Sequence, residues 1–260
     1  MRVLLTADDF GFDDDTVDAT IACFERGGLT SATIMPKMGA TARAIAYARS
    51  RPELSFGVHL TYAGDGLEGP VLRPSLVPSL VGDDGMFLQS NRTRVLALTS
   101  RLSVAEIERE TAAQIELLLD HGVRLSHVDS HGHLHKFGPF RAALERVLPK
   151  FGIRRVRNVQ DVFVGRPLKS FTYWFGPLWR RRLMARFATT SHFFMPLGAP
   201  DERWTEPVLA TLTRSTDDTL EIGVHPGSAE PWRAEQRAAA EAFASEARRR
   251  GHQLVGWGEL

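Results

Sequence analysis

Apolar positions along the chain alternate between two rhythms. Short continuous runs that read as strands are followed by stretches with helical spacing, and the pair recurs from one end to the other. Val3–Thr6 is an apolar run that stops at Ala-Asp-Asp. Residues 15–26 have helical spacing and end at Gly27-Gly28. Leu29–Met35 reads as a strand, residues 40–49 as an Ala-rich helix, and Leu54–Leu60 as a strand ending in His59. Ser103-Val-Ala-Glu106 is a capping box that opens a helix running to Gly122. Leu125–Asp129, Ile153–Val156, Leu220–Val224 and Gln253–Trp257 read as further strands. Helices are expected from Pro139 to near Leu148, and over 232–250 with Gly251 as the stop.

This alternation predicts an α/β fold with a parallel sheet and right-handed crossovers. About seven strands suit an irregular, single-domain (β/α) TIM-like barrel spanning residues 1–260. Two segments break the rhythm. Residues 62–102 hold Pro70, Pro74 and Pro78 among Gly and Asp, and residues 161–200 are irregular and aromatic. Both are expected to be inserted loops or a lid within the domain.

Composition narrows the function classes. A hydrophobic fraction of 43% with 24% charged residues supports a globular chain with a sizeable core. A net charge of +1 gives no reason to expect nucleic acid as a partner. The single cysteine, Cys23, excludes an internal disulfide framework and a Cys-rich zinc site, and it suits a cytoplasmic setting. No leader segment is expected ahead of the first strand, and no apolar run is long enough to span a bilayer.

Candidate chemistry gathers at the strand ends. Four of the nine histidines, His127, His131, His133 and His135, fall in SHVDSHGHLHK. Asp8 and Asp9 follow the first strand, His59 ends another, and His225 follows EIGV. In a parallel barrel these ends share the face on which active sites are built. Of two adjacent carboxylates, one can bind a metal while the other faces substrate as a base. Asp129 has the position of a partner that orients an imidazole. One or two of the clustered histidines could share an ion with Asp9 and His59, leaving the others to contact substrate or support the loop. His225 reads as a proton donor or a third ligand. A His-His-Asp set suits one divalent ion with open positions, zinc or magnesium foremost, and hence hydrolysis. Asp9-Phe10-Gly11 is not a kinase motif, because no Gly-rich loop, strand lysine or catalytic loop accompanies it.

The segments TADDFG (6–11), LTSATIM (29–35), GVHL (57–60), HVDSHGHLH (127–135) and EIGVHPG (221–227) together resemble the YdjC-like carbohydrate deacetylases. That group includes chitooligosaccharide deacetylase and hopanoid-associated HpnK-like proteins. The resemblance implies an irregular (β/α) barrel and one divalent metal held by Asp9, His59 and His131. It implies Asp8 as general base and His225 as general acid in the hydrolysis of an N-acetyl group from an amino sugar, by metal-activated water attacking the amide carbonyl. Asp129, His127, His133, His135 and Arg155 are expected to be supporting or substrate-facing groups. The substrate would be an acetylated oligosaccharide or a lipid-linked sugar. Another metal-dependent barrel hydrolase (an amidohydrolase or phosphoesterase) and a non-catalytic sugar-binding protein remain as alternatives, and a homodimer is left open.

Residues 166–187 carry Arg166, Lys169, Arg180, Arg181, Arg182 and Arg186 with interleaved aromatics and no acid. The segment reads either as a lid helix with a solvated basic face or as a peripheral contact with an anionic membrane.

Overall fold

Among the described residues, seven parallel strands carry the alternation into three dimensions. The computed structural model describes residues 1–64, 69–165, 168, 170–196, 204–211 and 218–260. The strands are β1 (Arg2–Phe10), β2 (Ser31–Ile34), β3 (Ser55–Leu60), β4 (Leu125–Ser130), β5 (His192–Phe194), β6 (Thr219–Val224) and β7 (Gln253–Leu254). The helices are α1 (Asp14–Glu25), α2 (Thr41–Ser50), α3 (Ser90–Leu98), α4 (Val104–Asp120), α5 (Gly138–Val147), α6 (Phe171–Met184), α7 (Thr205–Thr211) and α8 (Pro231–Arg249).

The sheet runs β4-β3-β2-β1-β6-β5, and β7 pairs with the start of β1. Between β4 and β5 the ring is completed by single bridges. Val128 pairs with Val156 and Arg155 with Ala188, while the amides of Asp161 and Val162 donate to Phe193 O. The sheet thereby curls into an irregular (β/α) barrel.

Two expectations change here. Ile153–Val156 forms bridges rather than a strand, because the chain on its far side offers Ala188 alone before turning toward β5. Conversely, 161–200 contains a strand, β5, whose three residues are too few to show a period. That segment also holds α6, and 62–102 holds α3, which begins without a side-chain cap and so gives no start signal. Arg166 and Lys169 lie outside the described residues, as do 65–68 and 197–200. No described helix is long and apolar enough to cross a membrane.

The two-residue period of the strands separates two environments. Val3, Leu5 and Ala7 of β1 join the large apolar cluster beneath the helices. Leu4 belongs instead to a small cluster with Val255 and Trp257. Next to it lies a polar interior: Thr33, His59, His127, Asp129, Arg157 and Glu221 are all buried. This explains why strands buried on both faces do not read as uniformly apolar.

His127 is a structural part of that interior. Its ring stacks on Trp257 at 4.6 Å and 8°. A Cβ on Gly57 would come within 2.7 Å of the same ring, so only glycine fits beside it. Burial pushes the His127 imidazole down to about 3, and does the same to His135. Both therefore remain neutral when folded, whereas in the unfolded chain they protonate near 6.5. The unfolded state then binds more protons between these values, so stability is complete above pH 6.5 and falls as pH drops toward 3. His127→Phe, which keeps a stacked ring, should reduce the slope of unfolding free energy against pH by about 1.4 kcal/mol per pH unit in this window. Urea melts of both proteins at several acidic pH values read it directly, and an unchanged slope contradicts the neutral-imidazole account.

Candidate metal centre

At the top of β1 the backbone leaves regular pairing. The β1–β2 register shifts between Ala7 and Phe10, and Asp9 adopts φ 58°. A non-glycine residue in this left-handed region is strained, and such strain clusters at functional sites. The turn continues through Gly11 at φ 100°, where a side chain would also meet Thr41 Cα at 3.1 Å. The distortion brings two adjacent carboxylates into one cluster, where they take different partners. Asp8 turns to Arg157, and Asp9 turns to two histidines.

Asp9 Oδ1 lies 3.3 Å from His59 Nε2 and 3.2 Å from His131 Nδ1. These three donors converge from three strand ends, all within 4.8 Å of one another. As hydrogen bonds both contacts are long. As edges of a ligand set they fit well, since a tetrahedron with metal bonds of about 2.0–2.1 Å has edges of roughly 3.3 Å. The opposite ring nitrogen of His59, Nδ1, is held by Asp129 Oδ1 at 2.7 Å, with Thr33 Oγ1 at 3.1 Å. A carboxylate behind a ligating imidazole fixes its tautomer and orientation. Arg233 Nη2 donates to the other oxygen of Asp9 at 2.9 Å, leaving Oδ1 for the shared point.

A second convergent group, Asp8, His59 and Asp129, is already neutralised by protein. Arg157 Nη1 reaches Asp8 Oδ2 at 2.7 Å and Asp129 Oδ2 at 2.5 Å, filling the place a cation would take. The rest of its guanidinium holds Glu221 at 2.9–3.0 Å, and Trp257 Nε1 donates to the same oxygen at 3.1 Å.

The electrostatics follow from this arrangement. Burial raises the Asp8 carboxyl above its ordinary value, and the Arg157 charge opposes the rise. Burial also works against charge on Asp9, but the His131 and His59 hydrogen bonds outweigh it and hold the group well below the usual carboxylate range. His59 is pushed up to about 10: burial disfavours its charge, and Asp129, Asp9 and Asp8 together prevail. A metal here would displace that proton.

A cavity of about 530 Å³ opens over these groups, lined by Asp8, His59, His131, His133, Met195 and His225 among others. His225 is fixed from behind by Gln236, whose Oε1 accepts the His225 amide at 2.8 Å and lies 3.2 Å from Nδ1. The remaining histidines separate. His133 Nε2 sits 3.0 Å from Met195 Sδ on the cavity wall. His135 is buried against Ser130 Oγ, and His127 is buried against Trp257, so neither lines this cavity. Arg155 corrects the expectation placed on it. Its guanidinium binds the Leu260 carbonyl oxygen, and Arg157, two residues closer to the site along the same extended segment, enters the cluster instead. Arg157, Arg233 and Gln236 were not read from the sequence. Strand-end position favours Arg157 over Arg155, and the first turns of the helix after β6 were the available signal for the other two.

Comparison with known proteins shows the family and the fold. Residues 2–254 match the family described as YdjC-like protein. A carbohydrate deacetylase from Listeria monocytogenes serotype 4a (strain HCC23) is 34% identical over 164 residues, 62% of this chain and 63% of that protein. One from Geobacillus stearothermophilus is 32% identical over 160 residues, 60% of each chain. The match thus spans less than two thirds of these relatives' length. A crystal structure from Enterococcus faecalis V583, provisionally described as a cellobiose-phosphate cleavage protein, superposes with a TM-score of 0.82 at 22% identity, covering 99% of this chain and 98% of that one, and so shares its fold. With the family matched almost from end to end, the chain belongs to the YdjC-like proteins.

Proposed function

We propose that the chain is a metal-dependent hydrolase that removes an N-acetyl group from an amino sugar. The observation that carries this reading is the single cavity joining Asp8, His59, His131 and His225 over the Asp9 carboxylate. The names of the deacetylase relatives supply the acetyl group and the sugar, and the amide is what the resemblance of the motifs implies. Asp9, His59 and His131 would hold the ion, and a mixed nitrogen and oxygen donor set suits zinc better than magnesium. When bound, the ion would polarise the acetyl carbonyl and acidify water.

The chain's own groups then divide the proton work. Asp8 is anchored through Oδ2 by Arg157, while its Oδ1 is buried without a partner. That free oxygen accepts the proton from water as the water oxygen bonds to the carbonyl carbon. A carboxyl raised by burial is a stronger base than an ordinary aspartate, nearer the optimum for neutral pH. His225, with Nδ1 toward Gln236, gives a proton to the amine nitrogen as the C–N bond breaks, releasing acetate and the free amine. The amine anion is too poor a leaving group to depart without that proton.

Acetate release from N-acetylglucosamine oligomers tests the assignment. Wild type should turn over, lose activity to a chelator and regain it with zinc. Asp8→Asn and His225→Gln should each lower kcat by about 10²–10⁴ while retaining metal. Because Asp8 must be ionised, kcat/KM should fall with decreasing pH through a value above that of an ordinary aspartate. Undiminished release by Asp8→Asn removes its role as base, and metal binding without turnover on any acetylated sugar favours the sugar-binding alternative.

A lipid-linked sugar is the finer reading of the substrate. A second cavity of about 520 Å³ shares Asn91, Arg94, Gly132 and His133 with the first, and its walls include Val95, Leu98, Phe137, Val159, Phe171 and Trp179. An apolar aglycone fits there, gaining about 0.8 kcal/mol per buried CH₂. Octyl N-acetylglucosaminide should therefore show a KM at least about tenfold below the methyl glycoside, and Leu98→Glu should erase the difference. Equal KM values for the two glycosides would leave an oligosaccharide as the substrate.

A further inference from the structure

Two helices present large apolar side chains to solvent, and the second cavity accounts for only some of them. On α6, Phe171 is 68% and Trp174 62% exposed, and Phe175 and Leu178 are exposed beside them. The opposite face of α6 is the packed one, through Gly176, Trp179 and Leu183. On α3, Val95 is 59% and Leu98 52% exposed. Both helices border the second cavity, so their outer faces form one collar around its mouth. Soluble proteins rarely leave contiguous apolar surface of this kind without a partner.

Charge identifies the partner. At 100° per residue, Arg181 and Arg182 fall on the same outward face of α6 as Phe171, Trp174 and Leu178. Both are exposed, as are Arg92 on α3 and Arg101 just beyond it. No Asp or Glu occurs in residues 85–105 or 162–200. Arg180 and Arg186 are held near Asp161 and Glu145, at 3.5 and 3.9 Å, whereas Arg181 and Arg182 have no acidic partner among the described residues. With a chain net charge of only +1, this is a local concentration of positive charge.

We propose that the α3–α6 collar docks on an anionic lipid bilayer. Aromatic side chains of α6 would seat at headgroup level, and Arg181 and Arg182 would meet lipid phosphates. The mouth of the second cavity then faces the membrane. A nucleic acid would engage the arginines but leave the apolar collar in water, which disfavours it.

Co-sedimentation of the full chain with vesicles tests this without any substrate, so its failure is separable from failure of the hydrolase assignment. Binding should be strong to phosphatidylcholine mixed with phosphatidylglycerol, weak to phosphatidylcholine alone, and reduced by salt. The double variant Arg181→Glu/Arg182→Glu should weaken binding at least about tenfold, and Phe171→Ser/Trp174→Ser should do likewise. Melting temperature and metal content should stay unchanged in both. Binding that ignores both variants overturns the proposal. So does a stable dimer that shields Trp174 from quencher and does not bind vesicles, or retention by duplex DNA but not by lipid.

Discussion

Four carboxylates, from Asp8, Asp9, Asp129 and Glu221, are buried together at one end of the barrel, and the rest of the site answers to that fact. Buried unpaired carboxylates either take up protons or destabilise the fold. Arg157 neutralises part of the cluster from within, touching Asp8, Asp129 and Glu221 at once, and Arg233 caps Asp9 from the rim. With every carboxylate ionised, two arginines leave two negative charges uncompensated. A proton on His59 compensates one. A divalent ion replacing that proton compensates both, so the cluster is electrically suited to a metal before any chemistry is considered.

The same contacts bind the roles together. Arg157 spans from the proposed base, Asp8, to Asp129, the residue that orients His59. The base and the ligand set therefore share one rigid support, and substitutions within it will not act independently. The bulge at Asp8-Asp9 makes this possible, because regular strand alternation would send neighbouring side chains to opposite faces of the sheet. The strained φ at Asp9 allows both carboxylates to serve one pocket.

Much of this was legible in the sequence. Strand-end position brought together residues 120 or more apart, and histidine density marked the β4 exit. The alternate spacing of the histidines in SHVDSHGHLHK is no guide to their roles. After Ser130 the chain leaves the extended state, with Gly132 and His133 both at positive φ, so His131, His133 and His135 do not share a face. Arg157 did not show itself in the sequence beside Arg155, because the segment's register is invisible without its bridges to Val128 and Ala188. Arg233 and Gln236 were hidden for a different reason. On a helix, charged and polar residues are ordinary surface, and only docking of α8 against the top of β6 gives these two a function.

Asp9, His59 and His131 are proposed to form a metal centre. Anomalous diffraction from crystals grown with zinc, recorded across the zinc absorption edge, tests it most directly. One strong peak is expected within bonding distance of Asp9 Oδ1, His59 Nε2 and His131 Nδ1, and it should be absent in Asp9→Asn. A zinc-soaked protein with no peak at that point, or with its peak on the Asp8 and Asp129 carboxylates in place of Arg157, would contradict it.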